Sequence, residues 1–418
     1  MSIPGATYRL QFNKDFTFAM AAELAEYLRD LGISHVYASP FFKASPGSMH
    51  GYDVTDHAAL NPEIGSEEDF ANYVATLKRN GLGQIVDFVP NHMGIGPLNP
   101  YWMDVLENGQ GSKYAPYFDI DWHPLKRELE GKVLLPILGD QYGRVLEKGE
   151  LELHFEQGCF FLTYYETRLP INPRSYTPML KKTLELGGLP AEDEGSIEMQ
   201  SIATATEHLP HRYETAPEKV AERNREKEVV KKRLERVCQE HPAVAGAIAK
   251  AVEWYNGKAD EAHSFDALDS LIGEQAYRLS YWRVAAEEIN YRRFFDINNL
   301  AAIKMELPEV FEGTHRLLFE LIKSGAVAGV RIDHVDGLWN PREYLENLQT
   351  RYDEITAQAG GRNLYLLVEK ILMSGEKLRP DWPVSGTTGY DFTNQVNELL
   401  VDRAAEKALT ETDQRFIG

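Results

Sequence analysis

Two apolar runs end on acids: Gly329-Val330-Arg331-Ile332-Asp333 and Leu366-Leu367-Val368-Glu369. A carboxylate that attacks and a carboxylic acid that donates a proton are the pair used by retaining glycosidases. Side chains alternate along a strand, so Arg331 and Asp333, two positions apart, share a face. A guanidinium beside a carboxylate favours its charged form, which suits Asp333 as a nucleophile. Glu369 needs the opposite treatment, burial or a neighbouring anion that keeps a proton on it near neutrality. A strand-end acid taken alone is structural more often than catalytic.

Two further segments offer polar groups of the kind that meet sugars. Asp87-Phe88-Val89-Pro90-Asn91-His92 follows a buried run and ends in an amide and an imidazole suited to hydroxyls. The same pair could serve as a helix cap or a satisfied structural network. In His50-Gly51-Tyr52-Asp53-Val54 the glycine suggests a turn that presents Tyr52 as a flat face for a sugar ring. A lone tyrosine is more often packing. Asp119 and Asp121 raise calcium as an alternative, but two acids without a further ligand pattern read as a solvated loop.

The elements that must position these groups follow a strand–helix rhythm. Residues 7–12, 36–38 and 84–89 are strand-prone. Between them Met20, Leu24, Tyr27, Leu28 and Leu31 keep helical spacing up to Gly32. Ser66 and Asp69 resemble a capping box before an apolar stripe of Phe70, Tyr73, Val74 and Leu77, which Gly81 ends. The rhythm then lapses. Residues 133–138 read as a strand, and Leu151, Leu153 and Phe155 with Phe161 and Thr163 around Gln157-Gly158 read as a hairpin. Residues 218–240 read as a charged helix with a solvated face, and residues 266–289 as further helix. The rhythm resumes with helices over 310–323, 340–359 and 394–409 and strands over 328–332, 365–368 and near 384–388. About six βα units result, where a closed (β/α)8 barrel needs eight. In such a barrel functional side chains sit at the C-terminal ends of strands, where Asp87, Asp333 and Glu369 fall.

At 418 residues the chain is long enough for one large domain with insertions, or for two or three domains. A formal net charge of -20 argues against nucleic acid and anionic membrane as partners. Cys159 and Cys238 give neither a disulfide framework nor a zinc spacing. The first residues carry no basic and apolar leader, and no apolar run reaches the ~18 residues of a membrane span. The compartment expected on these grounds is the cytoplasm.

Together the four segments resemble the characteristic regions of the α-amylase clan, glycoside hydrolase family 13. The match makes Tyr52 the residue that stacks on the reacting glucose, and puts His50, Asp53, Asp87, Asn91 and His92 around it. Arg331 then stands beside the nucleophile Asp333, and Glu369 is the acid/base. Within the clan, Thr7-Tyr8-Arg9-Leu10-Gln11-Phe12, Ile289-Asn290-Tyr291-Arg292-Arg293-Phe294-Phe295-Asp296, Arg331 to Leu338, Val368 to Leu372 and Gly386-Thr387-Thr388-Gly389-Tyr390-Asp391-Phe392 look like the maltooligosyl trehalose synthase branch. That resemblance adds His334 and Tyr390 to the substrate-binding set, with Trp339 a weaker candidate. It implies an α/β fold: a (β/α)8 TIM barrel of the α-amylase type, incomplete in this chain, with a long mixed α/β insertion after strand 3. The corresponding division is barrel over 1–95, insertion over 96–290 and barrel again over 291–418.

The activity implied is an isomerase reaction, an intramolecular transglycosylation. The reducing-end α-1,4 linkage of a maltooligosaccharide becomes an α,α-1,1 linkage through two displacements. Neither metal nor other cofactor is required, and the product would pass to a maltooligosyl trehalose trehalohydrolase. The clan's third acid, an Asp at the end of strand seven, finds no counterpart, because the match places Asp391 near strand six. The expectation is an N-terminal portion of a longer enzyme. An α-amylase-like hydrolase and a catalytically silent glucan-binding protein remain as alternatives.

Overall fold

A computed structural model describes residues 3–259, 261, 263–356 and 364–418. The chain forms two compact units. Met1–Tyr52, His57–Asn91 and Phe311–Gly418 make the first, and Asp53–Asp56 with His92–Val310 make the second.

The first unit is built on a six-stranded parallel sheet: β1 Thr7–Leu10, β2 His35–Ala38, β3 Gly83–Phe88, β4 Gly329–Ile332, β5 Tyr365–Val368 and β6 Gly386–Thr387. The order across the sheet is the order along the chain. Strands covered on both faces read as continuous apolar runs, which is why Ile85, Val86 and Phe88, or Val330 and Ile332, mark them so clearly. Helix Glu67–Arg79 starts on the expected capping box, with Ser66 and Asp69 bonding reciprocally, and buries Phe70, Tyr73, Val74 and Leu77. Their rings join Phe12, Phe18 and Phe41, and the Phe18 and Phe70 centroids lie 5.1 Å apart.

Two helical expectations in this unit need correction, and a third is met over its described residues. The helix read over residues 20–31 is two, Phe18–Glu23 and Ala25–Asp30, interrupted at Leu24. Its buried face is Phe18, Ala21, Ala25 and Leu28, whereas Met20, Tyr27 and Leu31 are exposed. The helix read over 394–409 is Tyr390–Leu399 and Glu406–Ile417, with Asp402 capping a short 3-10 turn between them. The helix read over 340–359 is Pro341–Thr356, and residues 357–359 lie outside the described ones.

In the second unit Leu151–Glu156 and Cys159–Tyr164 form the expected antiparallel hairpin, extended by Thr167–Pro170. The second strand turns Phe160, Leu162 and Tyr164 inward, one residue off the expected Phe161 and Thr163. Residues 266–289 are not one helix. After helix Asp266–Gly273, strand Tyr277–Tyr281 pairs in parallel with Val133–Leu138. That partner is distant in sequence, and the pairing overrides local helical preference. Helix Pro217–Glu240 is charged, as read, but one face is buried. Lys227 Nζ lies 2.8 Å from Glu107 and 2.5 Å from Asp104, and Lys231 Nζ lies 2.7 Å from Glu107. Burial alone would raise the Glu107 carboxyl, but the two lysines hold it below the usual carboxylate range. The insertion is closed at its base, where His92–Gly94 pairs antiparallel with Leu300–Ala302. Among the described residues no helix is long and apolar enough to cross a membrane.

Candidate active site

The parallel register of the first unit assembles a charged cluster at the strand ends. Arg331 of β4 stands beside Asp87 of β3 and Leu367 of β5, and Tyr37 of β2 beside Arg9 of β1. Asp87 is fully buried. One of its oxygens accepts from Arg331 Nη1 at 2.7 Å. The other accepts from the Tyr52 hydroxyl at 2.7 Å, the Tyr37 hydroxyl at 3.0 Å and Arg9 Nη1 at 3.4 Å. A carboxylate has about four lone-pair sites, so these donors occupy it. Burial first, and then the Asp87 charge, push both phenols well above their ordinary range, so they act here as donors.

Asp333 follows β4 and is anchored by its N–H to the Phe88 carbonyl at 2.9 Å. Its Oδ1 lies 2.6 Å from the same Arg331 Nη1 that serves Asp87. The sequence suggests that Arg331 favours the charged form of Asp333. Instead burial, with the nearby Asp87 charge adding to it, outweighs the guanidinium and raises the Asp333 carboxyl to about 6. The guanidinium nitrogen that opposes burial is also shared with a second buried carboxylate, Asp87.

Glu369 follows β5 and is half-buried. Its N–H donates to the Ile332 carbonyl at 2.8 Å, and its Oε2 accepts from the His334 N–H at 3.2 Å. His334 holds a left-handed backbone (φ 49, ψ 48), a strained state for a non-glycine residue and one that turns its N–H toward Glu369. Strand-end residues on β4 and β5 thus tie the two acids into one backbone network. Next to Glu369, Lys370 bridges Asp336 at 2.9 Å and Glu376 at 3.2 Å.

Tyr52 depends on Gly51. That residue has φ +79, and a Cβ there would sit 2.4 Å from the Pro40 carbonyl oxygen. His50 supports the turn by accepting the Tyr52 N–H at 3.0 Å. Asn91 is buried in the first unit, and Asn91 Oδ1 and His334 Cδ2 both crowd Gly337. Asp53 and His92 belong to the second unit, where the His92 ring packs 4.4 Å from Phe294. Tyr390 opens its helix and is partly exposed, and Trp339 is exposed. Asp391 accepts from Thr387 Oγ1 at 2.7 Å, a local contact. Asp119 is paired with Arg292 at 2.8 Å.

Sequence reasoning did not single out Arg9, Tyr37 or Thr388, whose hydroxyl lies 3.4 Å from Arg331 Nε. They come from other strands and meet the site only through register. Arg9 and Thr388 do lie in two of the motifs that carry the resemblance, and the period-two placement of Arg9 and Gln11 was a further signal, for these two side chains bond to each other at 3.2 Å.

Residues 21–170 match the family described as alpha amylase, catalytic domain. With strands ordered β1 to β6 and acids at their C-terminal ends, this defines the fold as α/β of the α-amylase catalytic type. Over nearly its whole length the chain is also a relative of the maltooligosyl trehalose synthases. It is 31% identical over 415 residues to a putative maltooligosyl trehalose synthase of Mycobacterium tuberculosis, covering 97% of this chain and 40% of that protein. A solved glycosyltrehalose synthase is 36% identical with a TM-score of 0.67, over 99% of this chain and 43% of that one. The maltooligosyltrehalose synthase of Arthrobacter ramosus is 33% identical with a TM-score of 0.65, over 98% and 40%. The chain spans about 40% of the length of the curated relatives it matches.

Proposed function

We propose that this chain carries the nucleophile and the acid/base of a retaining site that converts the terminal α-1,4 linkage of a maltooligosaccharide into an α,α-1,1 linkage. The observation that carries the reading is the shared network in which Arg331 holds Asp333 beside Asp87 while Glu369 is bonded to the residue following Asp333. Asp333 attacks the anomeric carbon of the glucosyl unit next to the reducing end while Glu369 protonates the departing oxygen. The released glucose turns and returns its own anomeric hydroxyl to the glycosyl-enzyme, with Glu369 now taking that proton. Two inversions at the attacked carbon restore its α configuration, and the glucose, whose own C1–O bond stays intact, returns as its α-anomer. Asp87 acts by positioning, since its oxygens are occupied by Tyr52, Tyr37, Arg9 and Arg331. Tyr52 offers the stacking face, and Asn91 and His334 line the same region of the first unit. His50 and Tyr390 complete the proposed substrate-binding set within the first unit. Water must be excluded from the glycosyl-enzyme, or hydrolysis replaces rearrangement.

The test is incubation of the chain with maltopentaose while reducing ends are counted. Rearrangement lowers them, and Glu369→Gln should abolish the fall. A rise in reducing ends would instead identify a hydrolase, and no change with the unsubstituted chain would overturn the proposal for this polypeptide.

A further inference from the structure

A cavity of about 1120 Å³ opens in the second unit, lined wholly by residues of that unit. Small-molecule sites typically occupy ~300–1,000 Å³, so this one has room for several linked rings. One wall is the loop from Trp122 to Gly131, which is closed on itself. The Gly131 N–H donates to the Trp122 carbonyl at 2.8 Å, and His123 Nδ1 lies 2.6 Å from Glu130 Oε1. Tyr213 closes against that loop. Gly131 has φ +64, and a Cβ there would sit 2.2 Å from Tyr213 Cε1, so only glycine admits the ring. A second wall is the start of helix Pro217–Glu240, where Pro217, Val220, Ala221 and Asn224 recur at helical spacing on one face.

The lining combines the aromatic side chains of Trp122 and Tyr213 with the neutral amides of Gln110 and Asn224. Its lysines are engaged, Lys113 lying 4.6 Å from the Tyr114 ring and Lys304 lying 3.9 Å from Asp119. An anionic ligand would meet the Glu130 carboxylate. Flat rings beside uncharged donors and acceptors are the chemistry that recognises a neutral oligosaccharide. We infer that this cavity is a binding site for an α-1,4-glucan chain, the linkage resting on the function proposed above.

The experiment is affinity electrophoresis of the whole chain through gels containing amylopectin. The chain should be retarded, maltoheptaose in the gel should release it, and cellohexaose should not. Ala221 is exposed, so Ala221→Arg obstructs the cavity without disturbing packing. It and Trp122→Ala should each weaken retardation at least fivefold with an unchanged thermal midpoint, while Tyr52→Ala should remain retarded. If Trp122→Ala fails to fold, Ala221→Arg decides. Absence of retardation in the parent, or retardation of Tyr52→Ala that survives the addition of Ala221→Arg, overturns the inference. Loss of retardation in Ala221→Arg together with no rearrangement of maltopentaose would leave this site standing and sink the reading of the catalytic one.

Discussion

Asp333 is a buried carboxyl that shares one nitrogen of Arg331 with Asp87, and burial is what chiefly sets its behaviour. Its carboxyl, raised to about 6 chiefly by burial, keeps a proton in the folded chain that the unfolded chain releases near 4. The sign of the linkage follows. The stability contributed by that proton is full below about pH 4 and is lost as pH rises through about 6. Asp333→Asn removes the titration, so the variant should match the parent near pH 4. Above pH 6.5 it should exceed the parent by on the order of 2 kcal/mol, as read from denaturant melts at the two pH values. A variant less stable than the parent at both pH values would refute the assignment of burial as the dominant cause. Asp87 adds to the same shift, so Asp87→Asn should move the acidic limb of the maltopentaose pH–rate profile below 6. It should also cost about 3–5 kcal/mol, because the charge that pairs with buried Arg331 is lost and one accepting oxygen becomes a donor, leaving either Arg331 or the Tyr52 and Tyr37 hydroxyls without an acceptor. An acidic limb that stays near pH 6 would show that Asp87 has no hold on Asp333.

Elements announce themselves in sequence when their partners are local. The capping box of Ser66 and Asp69 and the stripe from Phe70 to Leu77 are complete within one helix, and both were legible. The inner strands β3 and β4 were legible because burial on both faces makes them largely apolar, whereas the edge strands β1, with Thr7 to Arg9 exposed, and β6, a Gly-Thr pair, lack that signal. Strand Tyr277–Tyr281 was not legible, since its partner Val133–Leu138 is remote in the chain. The site divides in the same way. Arg331 and Asp333 could be paired from spacing on one strand, whereas Arg9, Tyr37 and Thr388 reach the cluster only through cross-strand register. Helix Pro217–Glu240 is the clearest case of hidden partnership, for its own sequence looks fully solvated while Glu107 and Asp104 bury Lys227. Lys227→Met should therefore destabilise the second unit by about 3–5 kcal/mol, leaving Glu107 partly uncompensated. Arg225→Ala, on the exposed side of the same helix, should stay within about 0.5 kcal/mol. Equal effects of the two substitutions in urea melts would show that the buried face contributes nothing.

The whole molecule must solve a problem of chain entropy. Strands β3 and β4 are neighbours, yet β3 ends at Phe88 and β4 begins at Gly329. Closing so long a flexible loop costs about 5 kcal/mol by the logarithmic law, before the pairing of β3 with β4 contributes anything. The second unit offers a way round that cost. It has its own core, including Trp102, Phe118, Leu134, Leu153, Tyr176 and Tyr277. Its two ends are already joined where His92 pairs with Ala302. Once folded, its joined ends shorten the effective loop between β3 and β4, which lowers the closure cost the sheet must meet. This order of events requires the insertion to be autonomous. Residues 92–310 expressed alone should accordingly show a single cooperative thermal transition by circular dichroism. Lys227→Met should shift it downward, as in the whole chain. A gradual, non-cooperative melt of that segment would mean that the insertion folds only with the sheet, and the loop-closure cost would then have to be met by simultaneous formation of both units.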